Sequence, residues 1–84
     1  MINIKITLYG RLSDWQQQLP DTLTLPNTAC MSDVVAQLSE LNPALAKLLA
    51  EIKVTIACND HIVDCGQRLN DGDHVALLPP VTGG

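Results

Sequence analysis

The sequence predicts an α+β domain in which a mixed β-sheet packs against helices. Residues 2–8 alternate between apolar and polar side chains, as a half-buried strand does. Near residue 32 the apolar spacing becomes helical, and a turn signal at residues 70–73 precedes an apolar final strand, 74–78. Within a chain of 84 residues, these patterns predict one domain.

The N-terminal residues are expected to form a hairpin with a long connection. The first strand, 2–8, is rich in β-branched residues. Residues 10–21 are polar and contain Gly and Pro, so we expect a loop there that holds Trp15. Residues 22–25 alternate again and stop at Pro26, which predicts the second strand.

Two helices are predicted in the middle of the chain. Ser32 is a candidate N-cap, and Asp33 suits the positive end of the helix dipole. Asn42 and Pro43 end this helix and open another, because Asn caps helices and Pro suits the first helical position. The leucines of the second helix then repeat on one face.

The C-terminal part returns to strand patterns. Residues 53–59 are strand-like, Asn59-Asp60 is typical of a turn, and residues 62–63 predict a short strand. The turn at 70–73 contains a Gly that tolerates positive φ, and the final strand follows it. Strand, strand, helices, strand, short strand, strand is the order of the β-grasp (ubiquitin-like) fold.

The chain end is the most informative segment for function. We predict a domain over residues 1–78 and an extended tail over 79–84. Pro79-Pro80 lacks the N–H groups that a ladder needs, so it ends the last strand and keeps the following residues extended. At polyproline geometry, about 3.1 Å per residue, this tail spans roughly 19 Å. Gly83-Gly84 adds no side chain, so the tail is predicted to present a carboxylate on a thin arm.

A carboxylate on a thin arm suits one kind of chemistry. Such an arm can thread a narrow channel to an ATP site, where the carboxylate attacks the α-phosphate and becomes an acyl-adenylate. Sulfur can then replace the adenylate and give a thiocarboxylate. The catalytic group would be the terminal carboxylate of Gly84, with no side-chain triad. The alternative is a plain structural domain with an idle tail.

Composition excludes several other classes. The net charge of −4 argues against nucleic-acid binding, which needs clustered Lys and Arg. No apolar run approaches the roughly 18 residues of a membrane span, and the N-terminus lacks a secretory pattern. Three cysteines without a CxxC pair favour a reduced, cytoplasmic setting, and their spacing predicts no metal site: Cys30, Cys58 and Cys65.

The segment LNDGDHVALLPPVTGG (Leu69–Gly84) resembles the C-terminal signature of the molybdopterin synthase small subunit, in the MoaD/ThiS-like sulfur-carrier family. That family reads leucine, any residue, Asp-Gly-Asp, any residue, Val-Ala, two apolar residues, Pro-Pro-Val, a small residue and Gly-Gly. The resemblance is close over this segment and looser over the rest, and it spans the whole domain.

The resemblance implies a function and its partners. An adenylating enzyme (MoeB-like) would activate Gly84 with ATP, and a sulfur donor would convert it to a thiocarboxylate. The tail would then enter the large synthase subunit, in a heterotetramer of two small and two large subunits, and give its sulfur to cyclic pyranopterin monophosphate. No cofactor is expected on this chain. Gly83 would give passage, and four residues would shape the arm: Pro79, Pro80, Val81 and Thr82.

Two alternatives to this function remain open. The chain could carry sulfur for thiamine thiazole or another sulfur pathway, or it could be a ubiquitin-like protein modifier; the Pro-Pro-Val segment favours the molybdopterin pathway.

Leu77 and Leu78 are a candidate apolar docking patch, although at least one of them should face the core. Trp15 is a core lid or an interface anchor. His61 and His74 lie among turn residues and are expected at the surface.

Overall fold

The computed structural model of the protein describes residues 1–80. They form five strands, two α-helices and a 3₁₀ helix. In chain order these are β1 (Ile2–Leu8), the 3₁₀ helix (Gly10–Gln18), β2 (Thr22–Leu25), α1 (Met31–Leu41), α2 (Pro43–Glu51), β3 (Thr55–Cys58), β4 (His61–Val63) and β5 (His74–Leu78). None of the helices in this part of the chain is long and apolar enough for a membrane span.

The strands form one mixed sheet in the order β2-β1-β5-β3-β4. The central pair, β1 and β5, is parallel, and every other neighbouring pair is antiparallel. The N-terminal hairpin and the parallel pairing of the first and last strands confirm the predicted β-grasp (ubiquitin-like) arrangement.

One face of the sheet packs against the helices. The inward residues of β1 alternate with outward polar ones, and Val75 and Leu77 of β5 follow the same rule. Both helices contribute leucines that are fully buried, Leu38 from α1 and Leu45 from α2. The core is therefore almost entirely aliphatic, and the opposite face of the sheet is open.

Most element predictions are confirmed. The bounds of β1, β2 and β5 match the predicted strands, and α2 begins at Pro43 with the Asn42 side chain accepting a hydrogen bond from the N–H of Leu45 at 3.1 Å. Asn59 and Gly72 both have positive φ, which confirms the two predicted turns.

The predicted loop at 10–21 was wrong over most of its length, because Gly10–Gln18 is a 3₁₀ helix. Leu12 anchors this helix in the core, where its side chain is fully buried. The Gln16 side chain binds the free edge of β1 beyond the end of β2: its Oε1 accepts from the N–H of Leu8 at 2.6 Å, and its Nε2 donates to the Ile6 carbonyl at 3.1 Å. One glutamine thus replaces a strand at this edge.

The predicted N-cap of α1 was also wrong. The helix begins at Met31, and Cys30 is the cap. The Asp33 carboxylate accepts a hydrogen bond from the N–H of Cys30 at 2.8 Å, which is the reciprocal half of a capping box. Cys is an uncommon cap residue, so the neighbouring Ser32 was the more obvious candidate.

Candidate functional site

The first two residues of the predicted tail, Pro79 and Pro80, lie directly after β5, and we call them the tail root. The strand stops at Leu78, and Pro79 and Pro80 follow outside the ladder as half-buried residues. The predicted arm residues Val81, Thr82, Gly83 and Gly84 lie outside the described part of the chain.

The tail root contacts the residues that join β1 to the 3₁₀ helix. The N–H of Tyr9 donates to the Leu77 carbonyl at 3.0 Å, which continues the pairing of β1 with β5. The next residue, Gly10, has φ +59. A Cβ on Gly10 would lie 2.7 Å from Cγ of Pro79, so the proline ring sits directly over this glycine.

The predicted docking pair divides between the two faces of the sheet. Leu77 is fully buried in the core, so its assignment to a docking patch was wrong. Side chains alternate along a strand, and Leu77 shares the inward parity of Val75. Leu78 has the opposite parity, is half-buried and lies on the open face.

Leu78 lines a shallow apolar groove on the open face, which we call the outer-face groove. Its volume is about 250 Å³, and it is lined by Tyr9, Thr55, Ala57, Asp60, Ile62, Ala76 and Leu78. Ala76 pairs with Ala57, and these two small side chains make the floor flat. Ala57 also pairs with Ile62 on β4. Ile62 is 77% exposed and Tyr9 46% exposed. Large apolar side chains exposed around such a groove are typical of a surface that binds a protein partner.

Sequence reasoning missed Tyr9 and Ile62. Their neighbours come from other strands, and only the register of β3 with β4 and of β1 with β5 brings them to one face. The sequence contained only a weak indication of the groove, namely an apolar residue, Ile62, in a strand of three residues.

A polar cluster lies at the other end of β5, around the buried carboxylate of Asp73. This carboxylate accepts hydrogen bonds from the Asn70 N–H at 2.7 Å and from the Asn59 side-chain amide at 2.9 Å, and the Cys58 thiol lies 3.5 Å away. Burial alone would raise the pKa of Asp73, but the hydrogen bonds from Asn70, Asn59 and Cys58 outweigh it and lower the pKa. This cluster fixes two turns and does not face the tail root.

The remaining candidates do not converge on a site. Burial, followed by the charge and hydrogen bond of Asp73, raises the pKa of the Cys58 thiol. Within residues 1–80, no three His, Cys, Asp or Glu side chains lie close enough together to hold a metal ion. Trp15 packs partly buried against the core, as a lid would. His61 and His74 are exposed, as predicted.

The comparison with protein families decides the family. The model of the ThiS family matches residues 6–84. The chain belongs to the ThiS family. This ThiS-family chain therefore has a sulfur-carrier fold, and the outer-face groove and tail root lie on that scaffold. No curated protein matches the sequence significantly.

Solved structures similar to this ThiS-family chain come from bacteria and archaea. Subunit 1 in a complex of subunits 1 and 2 of molybdopterin-converting factor from Helicobacter pylori is 28% identical, with a TM-score of 0.65 over 99% of this chain and 100% of that one. A putative molybdopterin converting factor, subunit 1, from Pyrococcus furiosus is 24% identical, with a TM-score of 0.75 over 96% and 100% of the chains. SAMP1 from Haloferax volcanii is 22% identical, with a TM-score of 0.76 over 98% and 99%. The last two similarities show the fold alone.

Proposed function

We propose that this chain is the sulfur-carrier subunit of molybdopterin synthase and works in the cytoplasm. The observation that carries the proposal is a sulfur-carrier domain whose last strand is followed directly by Pro79-Pro80, with Gly83-Gly84 next but two in the sequence. The resemblance of residues 69–84 to the small-subunit signature and the similarity to a subunit 1 that is solved in complex with subunit 2 support this pathway.

The proposed chemistry takes place at the carboxylate of Gly84. One carboxylate oxygen attacks the α-phosphorus of ATP, pyrophosphate leaves, and an acyl-adenylate forms. A sulfur nucleophile at the oxidation level of sulfide then attacks the acyl carbon, and AMP leaves with the oxygen. The product is a thiocarboxylate, whose sulfur passes to cyclic pyranopterin monophosphate. Because Gly83 and Gly84 have no side chains, the carboxylate can enter a narrow channel.

We propose two partners that take the tail in turn. The first is an adenylating enzyme (MoeB-like), which binds the ATP. The second is the large synthase subunit, in an assembly of two small and two large subunits. The tail leaves the strand that carries Ala76 and Leu78, so an enzyme that takes the tail also covers the outer-face groove, with Ile62 and Tyr9 as contacts. The net charge of −4 favours basic partner surfaces.

Intact-mass spectrometry tests the carrier function. The chain is incubated with the adenylating enzyme of its own organism, ATP and a sulfide source. We expect a gain of about 16 Da, because one oxygen is replaced by one sulfur. The matched control lacks only Gly84 and should gain nothing while its circular dichroism spectrum is unchanged. A full-length chain of unchanged mass, or an equal gain by the truncated chain, would reject the proposal.

A second measurement separates the molybdopterin pathway from the alternatives. The thiocarboxylated chain is mixed with the large synthase subunit and cyclic pyranopterin monophosphate, and molybdopterin is followed by the fluorescence of its oxidised form. We expect product in proportion to the thiocarboxylate consumed. Sulfur that passes only to a thiazole precursor would assign the chain to thiamine synthesis, and isopeptide adducts on lysines in cell extracts would assign it to protein modification.

A further inference from the structure

We propose that Gly10 is a positioning residue for the tail. The space left by its missing side chain receives the Pro79 ring, and this contact sets the direction in which the tail leaves the domain. The inference rests on the proposed function, because it assumes that the tail carries the reacting carboxylate.

The contact between Gly10 and Pro79 leaves no room for a side chain. A Cβ on Gly10 would lie 2.7 Å from Cγ and 3.2 Å from Cδ of Pro79. Contacts between real Cβ atoms and other heavy atoms are essentially never as short as the first of these distances. The ring is bonded back to its own backbone nitrogen, so it cannot rotate away as a flexible side chain would. Any side chain at Gly10 must therefore displace Pro79 or the backbone of Gly10 that faces it.

The surface under Pro79 is held from several sides. The hydroxyl of Ser13 donates to the Gly10 carbonyl at 2.7 Å, and the N–H of Leu12 donates to the Tyr9 carbonyl at 3.1 Å. Leu12 is fully buried, which ties the start of the 3₁₀ helix to the core. The Tyr9 N–H binds the Leu77 carbonyl, only two residues before Pro79. The tail thus starts from a fixed platform.

A displacement at this point acts on the whole tail. Pro79 is the first tail residue, and a change of angle at the root grows along an extended segment. Misplacement of a reacting group by about 1 Å can cost on the order of a hundredfold in rate. A side chain at Gly10 should therefore slow the reaction at the carboxylate while the docking surface stays intact.

Positive φ is a second reason for glycine at this position, and Gly72 provides a control for it. Gly72 has φ +87, and a Cβ there would have nothing within 4 Å. Gly72 lies in the turn before β5, far from the tail root. Asn tolerates the left-handed region better than most residues. Gly10→Asn and Gly72→Asn therefore both place a side chain at positive φ, and only Gly10→Asn disturbs Pro79.

The experiment measures pyrophosphate release by the adenylating enzyme at varied concentrations of the full chain. For Gly10→Asn we expect kcat to fall at least about tenfold while KM stays within about threefold, because docking is retained and placement is lost. Gly72→Asn should keep the wild-type values. Pro79→Ala removes the ring and should lower kcat modestly. In that background, Gly10→Asn should have little further effect.

Each result bears on the inference. Equal kcat values for Gly10→Asn and Gly72→Asn would overturn it, and so would an undiminished effect of Gly10→Asn when Pro79 is Ala. If Gly10→Asn does not fold, Pro79→Ala alone decides: an unchanged kcat then rejects the positioning role. A wild-type chain that is not adenylated would reject the proposed function, and this inference with it; normal adenylation of every variant would reject the inference only.

Discussion

Shortening the Ile62 side chain to Ala should weaken docking of the chain to the adenylating enzyme without unfolding the domain. Ile62 is 77% exposed at the rim of the outer-face groove, so a partner that covers the groove buries most of its side chain. Full burial of an Ile is worth about 1.5–3 kcal/mol, and Ile62→Ala should therefore cost about 1.5–2 kcal/mol of binding free energy. Since about 1.4 kcal/mol is tenfold in Kd, we expect binding weaker by roughly tenfold to thirtyfold.

Isothermal titration calorimetry of the full chain with the adenylating enzyme measures this loss. The matched control is Leu41→Ala, because Leu41 is 46% exposed but lies at the end of α1 and does not line the groove. Leu41→Ala should bind as the wild type does. Urea titrations should show that Ile62→Ala loses less than about 1 kcal/mol of stability, because β4 is an edge strand. Equal Kd values for both variants would refute the assignment of the groove as a docking surface.

Two further predictions concern stability. Asp73→Ala leaves the Asn70 N–H and the Asn59 amide without their acceptor, so the free energy of unfolding in urea should fall by about 2–4 kcal/mol at pH 7; a loss below about 0.5 kcal/mol would contradict this. The folded-state pKa of Asp73 lies below the unfolded value of about 4, so the stabilisation by its ionised form is complete above that pH and is lost as the pH falls through the folded pKa. The difference in free energy of unfolding between wild type and variant should therefore narrow in acid. Gln16→Leu removes both hydrogen bonds to β1 and should cost about 1–3 kcal/mol in thermal unfolding, whereas the exposed neighbour Gln17→Leu should cost almost nothing; equal melting temperatures would refute the edge role.

Local patterns predicted most of the fold. The strands β1, β2 and β5 were predicted with their observed bounds because alternation and the flanking turn residues are properties of neighbouring residues. The 3₁₀ helix was missed because its residues show no helical period and only Leu12 is buried. Its stability depends on Gln16 contacting the edge of β1, a tertiary interaction that the sequence does not display.

The candidate site was predicted in part. Pro79-Pro80 marked the end of β5, because the missing N–H groups are a local property. Leu77 and Leu78 were both candidates for the docking patch, with at least one expected in the core; Leu77, which shares the parity of Val75, is the core residue. The partners of Ile62 in the groove, and the contact of Gly10 with Pro79, join residues far apart in the chain, so no local pattern could reveal them. The role of Gly84 stays a prediction.

The parallel pairing of β1 with β5 has a practical consequence. Since both strands run in the same direction and Leu77 pairs with Leu8, Met1 lies at the opposite end of the sheet from Leu77, seven residue steps or roughly 23 Å away, and Pro79 lies two residues beyond Leu77. Met1 is also well exposed. An affinity tag, fluorophore or solid support attached there should leave the tail free to react, so single molecules of the carrier could be followed through repeated cycles of loading and discharge.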